Sequence, residues 1–504
     1  MTEANSTERR QNAVGRARDF SPFLREALEA RPELEHRFVQ AGSEAAVAAA
    51  LADSDGPVEV ALRRSRQGLA LAIALGDLSG ELALEDVTRR LSDFADQAIG
   101  RALDGAIAER NPDAPPGGMA VIALGKLGSG ELNYSSDVDL LLLFDPATLP
   151  RRARDDVGEA AVRIARRMIE ILQQRTADGY VARVDLRLRP SPEVTPIALP
   201  VNAAISHYES SALPWERAAF IRARAAAGDI ALGEHFLRSI EPFVWRRSLD
   251  FGVIDDIRQI SARIRDHFAQ GGRLGPGFDL KRGRGGIREI EFFTQIQQMI
   301  HGGRDPAVRV PATLDALAAL AAAGRLEPGD ATALADAYRV LRTIEHRVQM
   351  IDDAQTHMVP ADAAALDQVA RLHGLATGGD LLALLKPHVE RAGAMFDGLA
   401  PEGSARLSND PDILLQELRT LGFADAAAAA RRIADLRSGR ARSLRSPAAQ
   451  NAFEAMLPAL LGAIAAGPDP SHALNRLTDI VERLSSGVNL YRLLEARPKL
   501  GQLL

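Results

Sequence analysis

Two aspartates separated by a single residue, Asp137 and Asp139, open an apolar run that continues through Leu140-Leu141-Leu142-Leu143-Phe144. If the run is a strand, alternation puts Asp137, Asp139, Leu141 and Leu143 on one face and Val138, Leu140, Leu142 and Phe144 on the other. Neighbouring carboxylates repel at neutral pH. A hard divalent cation with oxygen ligands relieves that repulsion, usually Mg²⁺ when phosphates complete its shell. An Asp pair at the head of a strand therefore suggests metal-bound nucleotide. Just upstream, Gly125-Lys126-Leu127-Gly128-Ser129-Gly130 allows close backbone approach, offers N–H groups to phosphate oxygens and adds the point charge of Lys126. By itself this string reads equally well as a tight turn; joined to Asp-Val-Asp it reads as part of a site.

The elements that must position these residues follow from the pattern around them. Residues 119–124 and 138–144 read as buried strands on either side of the polar turn. Residues 151–176 read as a helix whose Val162, Ile164, Ala165, Met168, Ile169 and Leu172 pack on the sheet. Residues 181–190 alternate as a strand ended by Pro190, with Val184, Leu186 and Leu188 on one face and Arg183, Asp185, Arg187 and Arg189 on the other. A carboxylate among three arginines reads, by itself, as an ion-paired solvent face.

Composition bounds the rest. At 504 residues the chain has room for two to four domains. Its 61 basic and 67 acidic residues give a net charge of −6, which supplies no basic field for nucleic acid. Cysteine is absent, which excludes disulfides and thiolate metal sites. No apolar run is long enough for a membrane span, and residues 1–18 lack the apolar core of a signal peptide. A cytoplasmic protein is expected.

At this point the sequence resembles a known family. Gly128-Ser129 followed by Ser135-Ser136-Asp137-Val138-Asp139-Leu140 is similar to the signature of DNA polymerase beta-type nucleotidyltransferases. The fuller string from Gly125-Lys126-Leu127-Gly128 through Glu131-Leu132-Asn133-Tyr134-Ser135-Ser136-Asp137 resembles the glutamine synthetase adenylyltransferase (glutamate-ammonia-ligase adenylyltransferase) family. Leu213-Pro214-Trp215-Glu216-Arg217 running on to Arg224, Lys281-Arg282-Gly283-Arg284-Gly285-Gly286-Ile287-Arg288-Glu289-Ile290-Glu291, and the Glu345-His346 and Asp352-Asp353-Ala354-Gln355-Thr356-His357 strings extend the likeness. It departs at Ala225 and Ala226, where the family more often has Pro-Val.

The resemblance implies an α+β fold, with a polymerase beta-type core of small mixed sheet and helices embedded in mostly α-helical domains. The expected divisions are a helical region at 1–116, the nucleotidyltransferase core at 117–250, a helical bundle packed on it at 251–400, and at 401–504 a helical linker or the start of a regulatory region, interrupted mid-domain. The resemblance also implies that Asp137, Asp139 and Asp185 hold Mg²⁺ and carry the chemistry. Gly128 and Ser129 would hold nucleotide phosphates, with Lys126 and Arg187 as candidates for the attacking phosphate. The reaction expected is removal of AMP from an adenylylated glutamine synthetase tyrosine by phosphorolysis, giving ADP, because Asn133-Tyr134-Ser135-Ser136 matches the removing unit better than the adding one. Glutamine synthetase, phosphate and the PII signal protein are the implied partners.

The ATP-dependent adenylylating unit, a uridylyltransferase of PII and a non-catalytic regulatory fragment are the alternatives. The uridylyltransferase would show a downstream His-Asp metal site, where this chain has only Asp266-His267.

Several readings stay local. Arg217, Arg222 and Arg224 are anion contacts or helix salt bridges, and Trp215 is a core residue rather than a base platform. Gly285 and Gly286 either seat an anion or make a turn capped by Glu289 and Glu291. His346 and His357, eleven apart, would share a face of an unbroken helix in a structural role. The clearest amphipathic helix is expected at 81–99.

Overall fold

The computed structural model describes residues 3–52, 56–113, 117–213, 216–246, 274–399, 407–408, 410–437, 441–467 and 469–484, with 487, 490, 491 and 494. Trp215, Asp266 and His267, the expected boundary at 250–251 and most of 485–504 lie outside them. The chain forms two units, 1–397 and 398–504.

The first unit opens with α1 (Glu3–Phe20), α2 (Pro22–Ala30), α3 (Pro32–Ala52), α4 (Val58–Ser79) and α5 (Leu84–Ala108). Glu81 lies ahead of α5 rather than in it: its carboxylate accepts the Ser43 N–H at 2.9 Å and pairs with Arg10, which holds the turn between α4 and α5 against α3. Ser21 caps α2 by accepting from the Leu24 N–H at 3.0 Å, with Pro22 at the first helical position.

The sheet consists of β1 (Met119–Leu124), β2 (Asp137–Phe144), β3 (Arg183–Asp185), β4 (Ala198–Pro200) and β5 (Arg224–Gly228). Its order is β3-β2-β1-β5, with β1 antiparallel to both β2 and β5. The one-turn helix α6 (Gly125–Gly128) follows β1, and α5, α7 (Val157–Gln173), α8 (Val201–Ser210) and α10 (Ile230–Val244) lie against strands of this sheet. Such covering explains why β1 and the body of β2 read as continuous apolar runs rather than as alternation. Ala120 pairs with Gly228 and Ile122 with Ala225, and the register shifts between them. Ala226 is the extra residue of that irregularity, so the departure at Ala225 and Ala226 falls on a β-bulge.

The strand expected over 181–190 is only three residues long, and the edge of β2 shows why. β3 pairs in parallel with Asp137–Asp139, and β4 pairs in parallel with residues 142–144 of the same edge. Two strands share eight residues, so the chain must leave after Asp185. It does so in a loop held by Arg189, whose guanidinium donates to the carbonyls of Leu186 at 2.9 Å and Pro192 at 2.6 Å, while the Thr195 hydroxyl donates to Pro190 O at 2.6 Å.

Beyond the sheet, α9 (Glu216–Phe220) precedes β5, and α11 (Ile287–His301), α12 (Thr313–Ala322), α13 (Pro328–Met350), α14 (Ala363–His373) and α15 (Gly378–Asp397) are further helices among the described residues of the unit. The helix carrying His346 ends at Met350, so His357 lies on the segment beyond it rather than on the same helix face. The Ser21 hydroxyl donates to Met350 O at 2.6 Å and the Phe23 N–H to Ile351 O at 3.1 Å, tying the end of α13 to the start of α2. One apolar cluster runs from Ala13 on α1 through β1, β2 and α7 to Met350 and Leu372.

The second unit contains α16 (Pro411–Leu421), α17 (Ala426–Arg437), α18 (Pro447–Ala465) and α19 (Pro470–Arg483) around Leu418, Ile433, Phe453, Leu457, Leu461 and Val481. Arg437 holds it together by pairing with Glu454 at 2.8 Å and donating to the carbonyls of Leu407 and Ser408. Among the described residues no helix is long and apolar enough to cross a membrane.

In the first unit the buried Arg347 pairs with Asp77, whose side chain is 9% exposed, at nitrogen–oxygen distances of 2.6 and 2.8 Å. Removing one partner of such a pair leaves the other charge uncompensated. Arg347→Met is expected to lower the unfolding free energy by about 3–5 kcal/mol, and Asp77→Leu/Arg347→Met by less, in urea unfolding followed by circular dichroism. A double variant as unstable as the single one would refute the pair's role.

Candidate active site

The parallel pairing of β2 with β3 builds the site. Asp137 pairs with Arg183, Val138 with Val184 and Asp139 with Asp185. Directly paired residues share a face, so Asp185 stands beside Asp139 while Asp137 sits two residues earlier on that face. The three carboxylates expected from the sequence are brought together at the head of β2.

Their environments differ. The Asp185 carboxylate takes the Arg187 backbone N–H at 2.8 Å and the Arg187 guanidinium Nε at 2.8 and 3.0 Å. Those bonds hold it below the ordinary carboxylate value. Asp139 is pushed the other way, up to about 6, by burial and then by the charge of Asp185, with Lys281 opposing and Asp137 adding to the rise. Asp137 accepts from Arg183 Nε at 3.0 Å and from Gln355 Nε2 at 2.7 Å. Among the described residues no three metal-ligating side chains close around one point. The donor set nevertheless fits a hard divalent cation: three oxygen ligands stand on one face, and one carries a proton affinity that a cation would lower. Mg²⁺ keeps several waters and takes one or two carboxylates plus substrate phosphates, so an open site suits it better than a closed cage.

The glycine turn serves this face by letting it close. Gly125 has φ +56°, and a β-carbon there would overlap the Asp139 carboxylate. A β-carbon on Gly128 would overlap the carbonyl oxygen of Arg222. The N–H groups of Ser129, Gly130 and Glu131 donate to Gly125 O, Leu127 O and Lys126 O inside the turn. The buried Ser129 hydroxyl bonds the carbonyls of Gly125 and Lys126. In this structure Gly128 and Ser129 thus shape the turn.

Lys126 points into the protein. Its ammonium lies 3.2 and 3.3 Å from the two oxygens of Glu345, which is fully buried on α13. Burial brings Lys126 down to about 7 against the pull of Glu345, and Arg342 and Lys281 add to the fall. Burial alone would raise Glu345, but Lys126, the His357 hydrogen bond and Arg342 outweigh it and hold it well below its usual value. His357 Nδ1 lies 2.7 Å from Glu345 Oε1. Arg187 is the one member of the expected phosphate group that is largely exposed, and its guanidinium is on Asp185.

The other arginines are structural. Arg183 joins Asp137 to Ser135 and Tyr180, and Arg189 holds its own loop. Arg222 is buried on Glu291 at 3.1 Å and on the Thr313 hydroxyl at 3.0 Å, Arg224 pairs with Asp96 at 2.6 Å, and Arg217 lies over Phe243. Glu289 accepts the Gly285 N–H at 2.7 Å, which is the capping reading of that turn, whereas Glu291 turns inward to Arg222.

Sequence reasoning missed Gln355, Glu345 and Lys281 as members of the site. All three stand in strings already singled out, so the available signal was their identity within those strings, not their periodicity.

The string before Asp137 is held from below by α13. Arg342 donates to Glu131 O and to Asn133 Oδ1, and His346 Nε2 lies 3.0 Å from the same Asn133 oxygen. Ser135 N–H donates to Gln349 Oε1 at 3.2 Å and its hydroxyl to Asp353 O at 2.9 Å. A cavity of about 680 Å³, lined by Phe144, Val162, Arg163, Arg166 and Pro196 among others, opens at the opposite end of β2 from the carboxylates.

The chain is similar to known proteins along most of its length. A family model described as glutamate-ammonia ligase adenylyltransferase matches residues 14–239, which include all three carboxylates. One described as GlnD PII-uridylyltransferase matches residues 258–399. Among curated relatives, the bifunctional glutamine synthetase adenylyltransferase/adenylyl-removing enzyme of Caulobacter vibrioides is 42% identical over 468 residues, covering 88% of this chain and 47% of the relative. The enzymes of the same name from Rhizobium meliloti and Xanthobacter autotrophicus are 39% and 41% identical, each covering 96% of this chain and 53% and 52% of the relative. The chain spans about half the length of the curated relatives it matches.

Asp139 favours its protonated form in the fold, because about 6 lies above the ordinary 3.8. The stability this gives is complete below pH about 4 and is lost as pH rises through 6. Asp139→Asn is therefore expected to raise the unfolding free energy of the metal-free chain at pH 8 by up to about 3 kcal/mol, a gain that vanishes near pH 4. Thermal melts across that range check it; a gain independent of pH would refute the shift.

Proposed function

The chain belongs to the glutamate-ammonia ligase adenylyltransferase family, and on that premise we propose that it removes AMP from adenylylated glutamine synthetase by Mg²⁺-dependent phosphorolysis of the adenylyl-tyrosine bond, giving ADP. The observation that carries nucleotidyl transfer is the ladder register that sets Asp139 against Asp185 with Asp137 on the same face. What favours the removing direction is the Asn133-Tyr134-Ser135-Ser136 string, whose Asn133 side chain accepts from Arg342.

Asp137, Asp139 and Asp185 would hold the cation. When bound, Mg²⁺ supplies positive charge that offsets the charge on the phosphoryl oxygens. The chain's own residues do the positioning on which phosphoryl chemistry of this kind depends. Arg183 and Gln355 fix the Asp137 carboxylate, and Arg187 keeps Asp185 ionised. The Gly128-Ser129 turn forms the nucleotide side of the site, with Lys126 and Arg187 as the flanking cations. Glutamine synthetase is the protein substrate and PII a regulatory partner in this reading.

Product analysis tests it. With Mg²⁺, adenylylated glutamine synthetase and labelled phosphate, the chain is expected to yield labelled ADP, and with unmodified synthetase and labelled ATP it is expected to label nothing. Asp137→Asn should lower turnover at least a hundredfold with an unchanged circular dichroism spectrum. Labelled synthetase from the second mixture alone would make this the adenylylating unit, and an active Asp137→Asn chain would remove the metal assignment.

A further inference from the structure

Beside the carboxylates two lysines and a histidine gather around the buried Glu345. The segment 277–281 runs along 357–359: the Leu280 N–H donates to His357 O at 2.9 Å, the Val359 N–H to Phe278 O at 2.8 Å and the Gly277 N–H to Val359 O at 3.1 Å. At one end of this pairing Gln355 reaches Asp137, so the two segments are fixed against the head of β2. Their side chains add Lys281 and His357 to Lys126.

The anions available there already have partners. Glu291 pairs with Arg222, and Glu345 serves Lys126, His357 and Arg342 at 2.7–3.4 Å. Lys281 is close enough to Lys126 to lower its proton affinity and to Asp139 to oppose the rise of that carboxylate. Among the described residues no carboxylate forms an ion pair with Lys281. His357 offers Nε2, since Glu345 occupies Nδ1 and no described residue bonds the other nitrogen. Lys126 and His357 are mostly but not wholly buried, at 11% and 19% side-chain exposure, so the group opens to solvent. An ammonium without a described carboxylate partner, with the Lys126 ammonium and the His357 Nε2 beside it, fits a compact anion with several acceptor oxygens.

We propose that Lys281, Lys126 and the His357 imidazole form the seat of the attacking phosphate, an assignment that rests on the phosphorolytic reading above. Hydrogen phosphate bound there forms a new P–O bond to the adenylyl phosphorus. The bond to the tyrosine oxygen breaks, its electron pair stays on that oxygen, and the proton given up by hydrogen phosphate balances the one the phenolate takes. The seat then holds the same atoms as the β-phosphate of ADP. Free phosphate and ADP therefore compete for it, whereas AMP, which lacks that group, does not.

The test uses the full chain with Mg²⁺ and inorganic phosphate, followed by ³¹P NMR or calorimetry, with Lys281→Met, Lys281→Arg and His357→Ala. Parent chain is expected to bind phosphate, with ADP but not AMP displacing it. Lys281→Met should weaken phosphate binding at least tenfold, Lys281→Arg should restore most of it, and His357→Ala should weaken it severalfold, with the melting temperature of Lys281→Met unchanged. In turnover with adenylylated glutamine synthetase, Lys281→Met should raise KM for phosphate while leaving KM for the protein substrate as it was. Phosphate binding that is absent from the parent, or equal in parent and Lys281→Met, overturns the seat. Phosphate binding that depends on Lys281 without any ADP formed by the parent supports the seat and overturns the phosphorolytic reading.

Discussion

Arg342, Glu345, His346 and Arg347 lie on two turns of α13 and are all buried. Four such side chains inside one helix are tolerable only if each finds a partner, because an unpaired buried charge is costly. The partners come from far along the chain: Asn133 and the Glu131 carbonyl for Arg342, Lys126 and His357 for Glu345, Asp77 for Arg347. Satisfying one helix thus pins the glycine turn, the loop before Asp137 and the segment after α13 in a single arrangement. The carboxylate face rests on that arrangement, since Gln355 and Arg183 can hold Asp137 only where these segments have been placed.

Much of this was legible in the residues. The apolar runs of β1 and β2 and the Asp-Val-Asp opening follow from local pattern, and their observed bounds differ little from the expected ones. Asp185 was found through a string of side chains, and the ladder register then supplied what no string contains, namely that it faces Asp139. The length of β3 was not legible, because it is set by how much of the β2 edge β4 occupies. Nor was the inward turn of Lys126: a lysine in a glycine loop reads as a solvent-facing charge until Glu345, more than two hundred residues later, is placed beneath it. Periodicity reports which face is apolar, and it is silent about polar pairs between distant segments.

The carboxylates divide labour through environment. Asp185 stays ionised under hydrogen bonds from Arg187, while burial and that same ionised neighbour make Asp139 the carboxylate that gains most from an approaching cation. Asymmetry within a cluster of like groups arises here from one arginine on one side and one glycine on the other: Arg187 supplies the bonds, and the bare Gly125 backbone lets Asp139 lie where a β-carbon would exclude it.

The loop held by Arg189 has a consequence for association. The Arg189 guanidinium bridges carbonyls at both sides of the turn from Leu186 to Thr195. The loop leads away from Asp185 with Val194 at 82% exposure, so an apolar side chain is presented on backbone that is already ordered. A macromolecule that docks there would find the entropy of ordering this rim already lost in folding, and the contact would form with a correspondingly smaller penalty.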